Sequence, residues 1–113
     1  MNIQIFGKSK CFDTKKAERY FKERGIKFQA IDIIKYGMSK GEYNSVKLAV
    51  GGFRNMVDEK SQAYENLYIK HLKSETSVEE RLLENNALFK TPIVRNGKAA
   101  TIGFAPDVWK EWK

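Results

Sequence analysis

Cys11 is the only cysteine in the chain, and its surroundings favour chemistry. It follows the apolar run at residues 3–6 and directly precedes a stretch with helical periodicity. Backbone N–H groups and the positive end of a helix dipole stabilise a thiolate at such a position. The positive charges of Lys8 and Lys10 in the preceding loop also favour the thiolate form of Cys11. Cys11 is therefore the main candidate for a nucleophile, the alternative being a buried and unreactive thiol.

Several polar residues around Cys11 are candidates for binding a substrate or an anion. Thr14 comes three residues later, so on a helix its hydroxyl shares a face with the thiol and can donate a hydrogen bond to it. An ordinary place in the first helical turn is an equal alternative for Thr14. Lys8, Ser9 and Lys10 can hold an anion against the loop amides, or can simply be solvated loop residues.

Other candidate motifs are weaker. Arg95 can reach towards an anion site, but an exposed strand position is the simpler interpretation. His71 has no partner at metal-ligand spacing, so we expect no metal site. The pair at residues 51–52 lacks the following Lys-Ser/Thr of a phosphate-binding loop, and we expect no bound cofactor.

The composition is that of one globular domain spanning residues 1–113, with 42% apolar and 31% charged residues. No apolar run approaches the roughly 20 residues that cross a bilayer. A signal-peptide pattern is absent and a single cysteine cannot form an internal disulfide, so we expect a cytoplasmic, monomeric protein. The net charge is +7, and residues 1–57 carry the entire surplus. The chain has no basic block and no aromatic RNA-binding motif. This charge therefore favours a solvated surface first, an anion-attracting field second and direct nucleic-acid binding third.

The elements needed to position Cys11 follow from the hydrophobic pattern. We predict a strand over residues 2–6, a helix over 12–24 ended by Gly25, and a second strand over 26–34. Such a βαβ unit places its strands parallel, with a right-handed crossover.

The middle of the chain, residues 38–89, shows helical patterns without a strand. Ser39 and Glu42 have the spacing of a capping box for a helix that ends near residue 50. We predict further helices over residues 61–67, with Tyr64, Leu67 and Tyr68 on one face, and from Ser77 to about residue 86.

The C-terminal part predicts a third strand over residues 92–95, a hairpin turn at Asn96-Gly97, a fourth strand over 98–102 and a helix from Pro106. The order is βαβ, a block of helices, then ββα. We therefore predict an α/β fold with a thioredoxin-like mixed sheet and an all-helical insertion, residues 38–89, between the second and third strands.

The chain resembles the arsenate reductase/Spx-like family of the thioredoxin superfamily over nearly its whole length. The matching segments are residues 8–17, 62–67, 86–94 and 102–104, followed by a terminal helix that contains tryptophan. The resemblance implies a catalytic or redox-sensing cysteine at Cys11 and a cis peptide at Thr91-Pro92, opposite the thiol. Because the chain has no second thiol to resolve an adduct at Cys11, we expect glutathione or a glutaredoxin to act as the reductant.

The chain departs from this family at informative positions. Arsenate reductases of the family have oxyanion-binding arginines where this chain has Thr91 and the segment 56–59. We therefore expect weak or no arsenate turnover, because bidentate guanidinium contacts are lost. Thr14 also stands where Spx-type regulators often have the second cysteine of a Cys-x-x-Cys switch.

Two functional hypotheses follow from the resemblance. The first is a thiol-dependent reductase with Cys11 as nucleophile and Thr91, Pro92 and Arg95 among its binding residues. The second is a non-enzymatic, Spx-like protein that binds a protein partner such as RNA polymerase.

Overall fold

A four-stranded mixed sheet forms the centre of the fold in the computed structural model, which describes residues 1–112. The strand order is β2-β1-β3-β4. β1 and β2 are parallel, whereas β3 is antiparallel to β1 and β4 is antiparallel to β3. This confirms the predicted thioredoxin-like sheet. The strands are β1 (Ile3–Gly7), β2 (Phe28–Asp32), β3 (Ile93–Asn96) and β4 (Ala99–Ile102).

Alternation along β1 creates a separate hydrophobic core on each face of the sheet. Ile3 and Ile5 are buried on one face, where they pack with Phe21 of α1 (Phe12–Glu23) and Trp109 of α6 (Pro106–Trp109). Phe6 is buried on the opposite face, among the residues of the helical insertion. Because successive strand residues point to opposite faces, one central strand supports both layers.

The helix α1 connects the two parallel strands and ends near its predicted boundary. Gly25 has a φ of +66°, a left-handed conformation that glycine adopts without the steric cost of a Cβ atom. The chain then enters β2 with only a short connection. The βαβ unit therefore begins and ends close to the predicted residues.

The insertion consists of short helices that cover the Phe6 face. α2 (Ile33–Tyr36) follows β2 directly, and the insertion contains the α-helices α3 (Lys40–Ala49), α4 (Gln62–Asn66) and α5 (Glu75–Glu84). Three 3₁₀ turns complete it: Phe53–Met56, Ile69–His71 and Asn86–Leu88. The predicted capping box is present, because Ser39 accepts from the Glu42 N–H and Glu42 accepts from the Ser39 N–H.

Local side-chain caps move two boundaries away from their predicted places. β2 ends at Asp32, because the Asp32 carboxylate accepts hydrogen bonds from the N–H groups of Ile34 and Lys35 and starts a helix there. The helix expected from Ser77 begins instead at Glu75, capped by Ser74, which accepts from the Ser77 N–H at 3.1 Å.

Two further predictions differ from the structure by local geometry. Tyr68 does not share a helical face with Tyr64, because it adopts a φ of +53° after α4 and is exposed. In the hairpin, Asn96 pairs with Ala99, so the two-residue connection is Gly97-Lys98 rather than Asn96-Gly97.

A short antiparallel contact attaches the insertion to the segment before β3. Val57 forms an isolated bridge with Phe89. The Asp58 N–H donates to the Leu88 carbonyl at 2.8 Å, and the Lys90 N–H donates to the Met56 carbonyl at 2.7 Å. These contacts bring the 56–58 segment beside residues 88–90, directly before Thr91-Pro92.

Candidate active site

Cys11 is the residue that directly precedes α1, after a tight turn at the end of β1. The Cys11 N–H donates to the Lys8 carbonyl at 3.0 Å, and the Cys11 carbonyl accepts from the Lys15 N–H at 3.3 Å. The turn therefore fixes the backbone on both sides of the thiol. The side chain is partly exposed, so the sulfur is neither enclosed in the core nor fully solvated.

The thiol faces the segment before β3. Sγ lies 3.6 Å from the main-chain oxygen of Thr91, to which the thiol donates. The Thr91-Pro92 peptide bond is cis, as the resemblance implies. Pro92 is buried, and its carbonyl accepts from the Gly103 N–H at 2.8 Å, which ties this loop to the end of β4.

Thr14 supports the thiol from the first turn of α1. Its side chain is buried, with a relative exposure of 6%. The Thr14 Oγ1 atom accepts from the Lys8 N–H at 3.5 Å, which leaves the hydroxyl proton available for Cys11. Gly7 permits this arrangement, because a Cβ atom there would overlap the Thr14 side chain.

The pKa of Cys11 is lowered from the ordinary thiol value. Burial of the sulfur raises the pKa, but four hydrogen bonds to the thiolate together outweigh that effect. They come from the side chains of Thr14 and Thr91 and from the backbone N–H groups of Thr14 and Asp13. A lowered pKa and partial exposure are the properties that a nucleophilic thiol requires.

Lys8 connects the Cys11 turn with the helical insertion. Its Nζ atom donates to the Ala87 carbonyl at 2.8 Å. Burial lowers the pKa of Lys8, and the nearby Asp58 carboxylate and Cys11 thiolate oppose that shift. Lys8 is therefore held by the protein rather than extended into solvent. Ser9 and Lys10 are exposed on the same turn.

The structure does not bring Arg95 to this group. Arg95 lies opposite Gln4 in the middle of the sheet, and its Nη1 atom donates to Gln4 Oε1 at 2.6 Å. Arg54 is also engaged elsewhere, in a two-point contact with Glu75 at 3.0 and 2.6 Å. The candidate site is therefore Cys11 with Thr14, Thr91, Pro92 and Lys8.

Three contributors to the site were missed by sequence reasoning: Gly7, Asp58 and Ala87. Gly7 has a readable signal, because a glycine at a strand end often marks close backbone or side-chain approach. Asp58 and the Ala87 carbonyl have none, because their proximity to Lys8 depends on the pairing between distant segments.

We also searched the described residues for a metal-binding cluster and for a membrane-spanning helix. Residues 1–112 contain no cluster of three His, Cys, Asp or Glu side chains that could hold a metal ion. None of the helices in this range has the length and apolar character needed to cross a bilayer.

The sequence is similar to those of known proteins along nearly its whole length. The profile of the ArsC family matches residues 6–112. Among curated proteins, the global transcriptional regulator Spx 2 of Oceanobacillus iheyensis is 25% identical, covering 100% of this chain and 94% of the regulator. The uncharacterized protein YusI of Bacillus subtilis is 26% identical over 98% of both chains.

A solved structure shows the same fold. Arsenate reductase from Vibrio cholerae superposes with a TM-score of 0.83 at 23% identity, covering 98% of this chain and 97% of that one. The cysteine before α1, the cis proline before β3 and the match over residues 6–112 lead to one conclusion. The chain belongs to the ArsC family.

Proposed function

We propose that this protein is a thiol-dependent reductase in which Cys11 is the nucleophile. The environment of Sγ carries the proposal, because hydrogen bonding from Thr14, Thr91 and the first N–H groups of α1 outweighs the effect of burial and lowers the pKa of Cys11, while the sulfur stays partly exposed. A structural thiol has no need of donors from both the first turn of α1 and the loop before β3.

The chemistry is an exchange between sulfur atoms. The Cys11 thiolate attacks one sulfur of an oxidised substrate, forms a mixed disulfide and releases the second sulfur as a thiolate, which takes a proton from water. The chain has no second cysteine to resolve the adduct. Glutathione or a glutaredoxin therefore supplies the second thiol, releases Cys11 and becomes oxidised.

Arsenate is a weak candidate for the substrate. A tetrahedral oxyanion is best held by guanidinium groups in fixed geometry. Arg95 and Arg54 are bonded to Gln4 and Glu75, and Lys8 is bonded to the Ala87 carbonyl. We expect little or no arsenate turnover for this reason.

The test compares the wild-type protein with Cys11→Ser and with Thr76→Ala, a change on the exposed side of α5. Each is assayed with hydroxyethyl disulfide and, separately, with arsenate, in the presence of glutathione and with or without glutaredoxin. We expect disulfide reduction by the wild type and Thr76→Ala, and none above background by Cys11→Ser. Equal rates for all three proteins would contradict the proposal.

A second candidate is a regulatory protein that binds a protein partner such as RNA polymerase. The specific support is the similarity to the regulator Spx 2 along the whole chain. The basic first half also favours an acidic partner surface. Affinity capture with immobilised wild type and Cys11→Ser separates the two functions. A polymerase subunit recovered equally by both proteins, with no disulfide reduction by either, would favour the regulator.

A further inference from the structure

Two phenylalanine side chains are exposed beside the candidate active site. Phe12 directly follows Cys11 as the first residue of α1, and its side chain is 78% exposed. Phe104 follows Gly103, whose N–H donates to the Pro92 carbonyl, and is 43% exposed. One ring therefore lies on the helix that follows the thiol, and the other lies on the loop that is tied to the cis proline.

The two rings belong to one surface. Lys16 is one helical turn after Phe12 on the same face of α1. Its Nζ atom lies 5.9 Å from the centre of the Phe104 ring and 4.0 Å from the Asp13 carboxylate. The Phe104 ring is held from behind by an edge contact with Trp109, with the ring centres 5.5 Å apart. We call the surface of Phe12, Lys16 and Phe104 the aromatic surface.

The thiol itself does not open into the cavity beside its turn. That cavity, of about 280 Å³, is lined by Lys8, Ser9 and Thr14 among others, and Cys11 is not one of its lining residues. Small molecules are usually held in cavities that bury most of their surface. The partly exposed sulfur and the adjoining aromatic surface are instead arranged for a partner that covers them from outside.

The position of the two rings limits the size and chemistry of that partner. Aromatic side chains are enriched at protein interfaces, where burial of their apolar area stabilises the complex. A small disulfide that reacts at Sγ can contact Phe12. Contact with Phe104 as well requires a chain of several residues, because the two rings lie on different elements and flank the Lys16 side chain.

We propose that the substrate is a disulfide in another protein, with large apolar residues next to its reacting cysteine. The inference rests on the reductase activity proposed above and assigns its substrate class. The apolar residues of the substrate cover Phe12 and Phe104 while its disulfide reaches Cys11. A second copy of this chain is a poorer occupant, because it would cover Cys11 and prevent its reaction with a substrate.

The reaction balances with glutathione as the reductant. The Cys11 thiolate attacks one sulfur of the protein disulfide, the S–S bond breaks, and the other cysteine leaves as a thiolate. A glutathione thiolate then attacks the Cys11 sulfur and releases the first cysteine. A second glutathione attacks the glutathione sulfur on Cys11, which frees Cys11 and forms glutathione disulfide. Two electrons and two protons pass from two glutathione molecules to the protein disulfide.

The probe is a pair of peptides with a central cysteine, each oxidised to its symmetric disulfide. Leucine and phenylalanine flank the cysteine in the first peptide, serine flanks it in the second, and the two peptides have the same charge. Reduction by the full-length protein with glutathione is coupled to glutathione reductase, with Cys11→Ser as the background. We expect kcat/KM of the wild type to be at least about tenfold higher for the apolar peptide.

The double variant Phe12→Ala/Phe104→Ala should lower this ratio of kcat/KM values by about fivefold or more. The ratio does not respond to a change in Cys11 reactivity or in the folded fraction, because the same thiol reduces both peptides. The matched control is Leu48→Ala, which removes an 86% exposed side chain from α3. Its ratio should stay within about twofold of the wild-type value.

The outcomes separate this inference from the reductase activity. Equal kcat/KM values for the two peptides, or an unchanged ratio in the double variant, would overturn the inference while reduction of hydroxyethyl disulfide still supports the activity. An equal loss for 4,4′-dithiodipyridine would assign the aromatic surface to small molecules, and a wild-type dimer that the double variant disperses would assign it to a second copy. Either result overturns the inference. Failure to reduce any of these disulfides would contradict the activity and the inference together.

Discussion

The Sγ atom of Cys11 lies 3.6 Å from the carbonyl oxygen of Thr91, across a sequence separation of 80 residues. The contact joins the start of α1 to the cis peptide before β3. It places a thiol with a lowered pKa beside a loop whose other side is held by the Pro92–Gly103 hydrogen bond. The surroundings of Cys11 therefore come from two segments that are distant in sequence, and each can be altered separately.

Removing the Thr14 hydroxyl should raise the pKa of Cys11. Among the hydrogen bonds that lower this pKa, the one from the Thr14 side chain is the largest. Thr14→Val keeps the volume of a buried side chain but deletes the donor, so the pKa should move towards the free-thiol value of about 8.5. The pH dependence of iodoacetamide alkylation measures it, with Thr14→Ser expected to restore the wild-type profile. An unchanged midpoint for Thr14→Val would show that the hydroxyl plays no part.

The folded protein should gain stability relative to Cys11→Ser as the pH rises. Because the folded-state pKa of Cys11 is lower than the unfolded one, the thiolate contributes stability above the unfolded value of about 8.5. That contribution is lost as the pH falls through the folded pKa. Urea denaturation between about pH 6 and pH 9 should show a widening difference in the free energy of unfolding. A constant difference across this range would be incompatible with a stabilised thiolate.

Gly7→Ala should destabilise the protein and disturb the site together. The added methyl group overlaps the buried Thr14 side chain, so Thr14 must move away from Cys11. We expect a loss of about 1–3 kcal/mol in the free energy of unfolding and a higher pKa of Cys11. Gly41→Ala is the control, since a Cβ there meets no atom within 4 Å and should stabilise α3 slightly. Equal effects of the two substitutions would exclude the steric explanation.

Glu79→Ala should remove a polar contact between α5 and α3 and destabilise the protein. Glu79 accepts from the Tyr43 hydroxyl at 2.7 Å and from Lys47 Nζ at 2.6 Å, which joins α5 to α3. Tyr43 is buried, so loss of its acceptor should cost about 1–2 kcal/mol of folding free energy. Thermal denaturation would measure this, with the exposed Glu80→Ala expected to change stability by less than about 0.5 kcal/mol.

The contacts of Glu79 with Lys47 and Tyr43 should also make the stability of the protein depend on pH in the acidic range. Hydrogen bonds from Lys47 and Tyr43 lower the pKa of Glu79. Its contribution to stability is therefore present above the unfolded carboxyl value of about 4.3 and is lost as the pH falls through the folded pKa. The difference in stability between wild type and Glu79→Ala should narrow under acid, and a difference that stays constant as the pH falls would refute an electrostatic role.

Caps and turns show where sequence reasoning about the fold reached its limit. Ile33 and Ile34 favour a strand by composition, yet Asp32 caps a helix there through the N–H groups of Ile34 and Lys35. Ser74 and Ser77 are both plausible caps, and packing of Val78 and Leu82 into the core is compatible with the earlier start. Local signals of similar strength compete at both places, and the hydrophobic pattern alone does not rank them.

The sequence by itself determined the order of the elements and the place of Cys11 before α1. Hydrophobic periodicity, the Ser39–Glu42 capping box and the stop at Gly25 depend on neighbouring residues, so they can be read locally. Only the tertiary structure decided what surrounds the thiol. Strand pairing and the bridge between Val57 and Phe89 bring distant segments together. They produce the contacts of Cys11 with Thr91, of Lys8 with Ala87 and of Arg95 with Gln4. Such contacts depend on the register between segments, which no local pattern specifies.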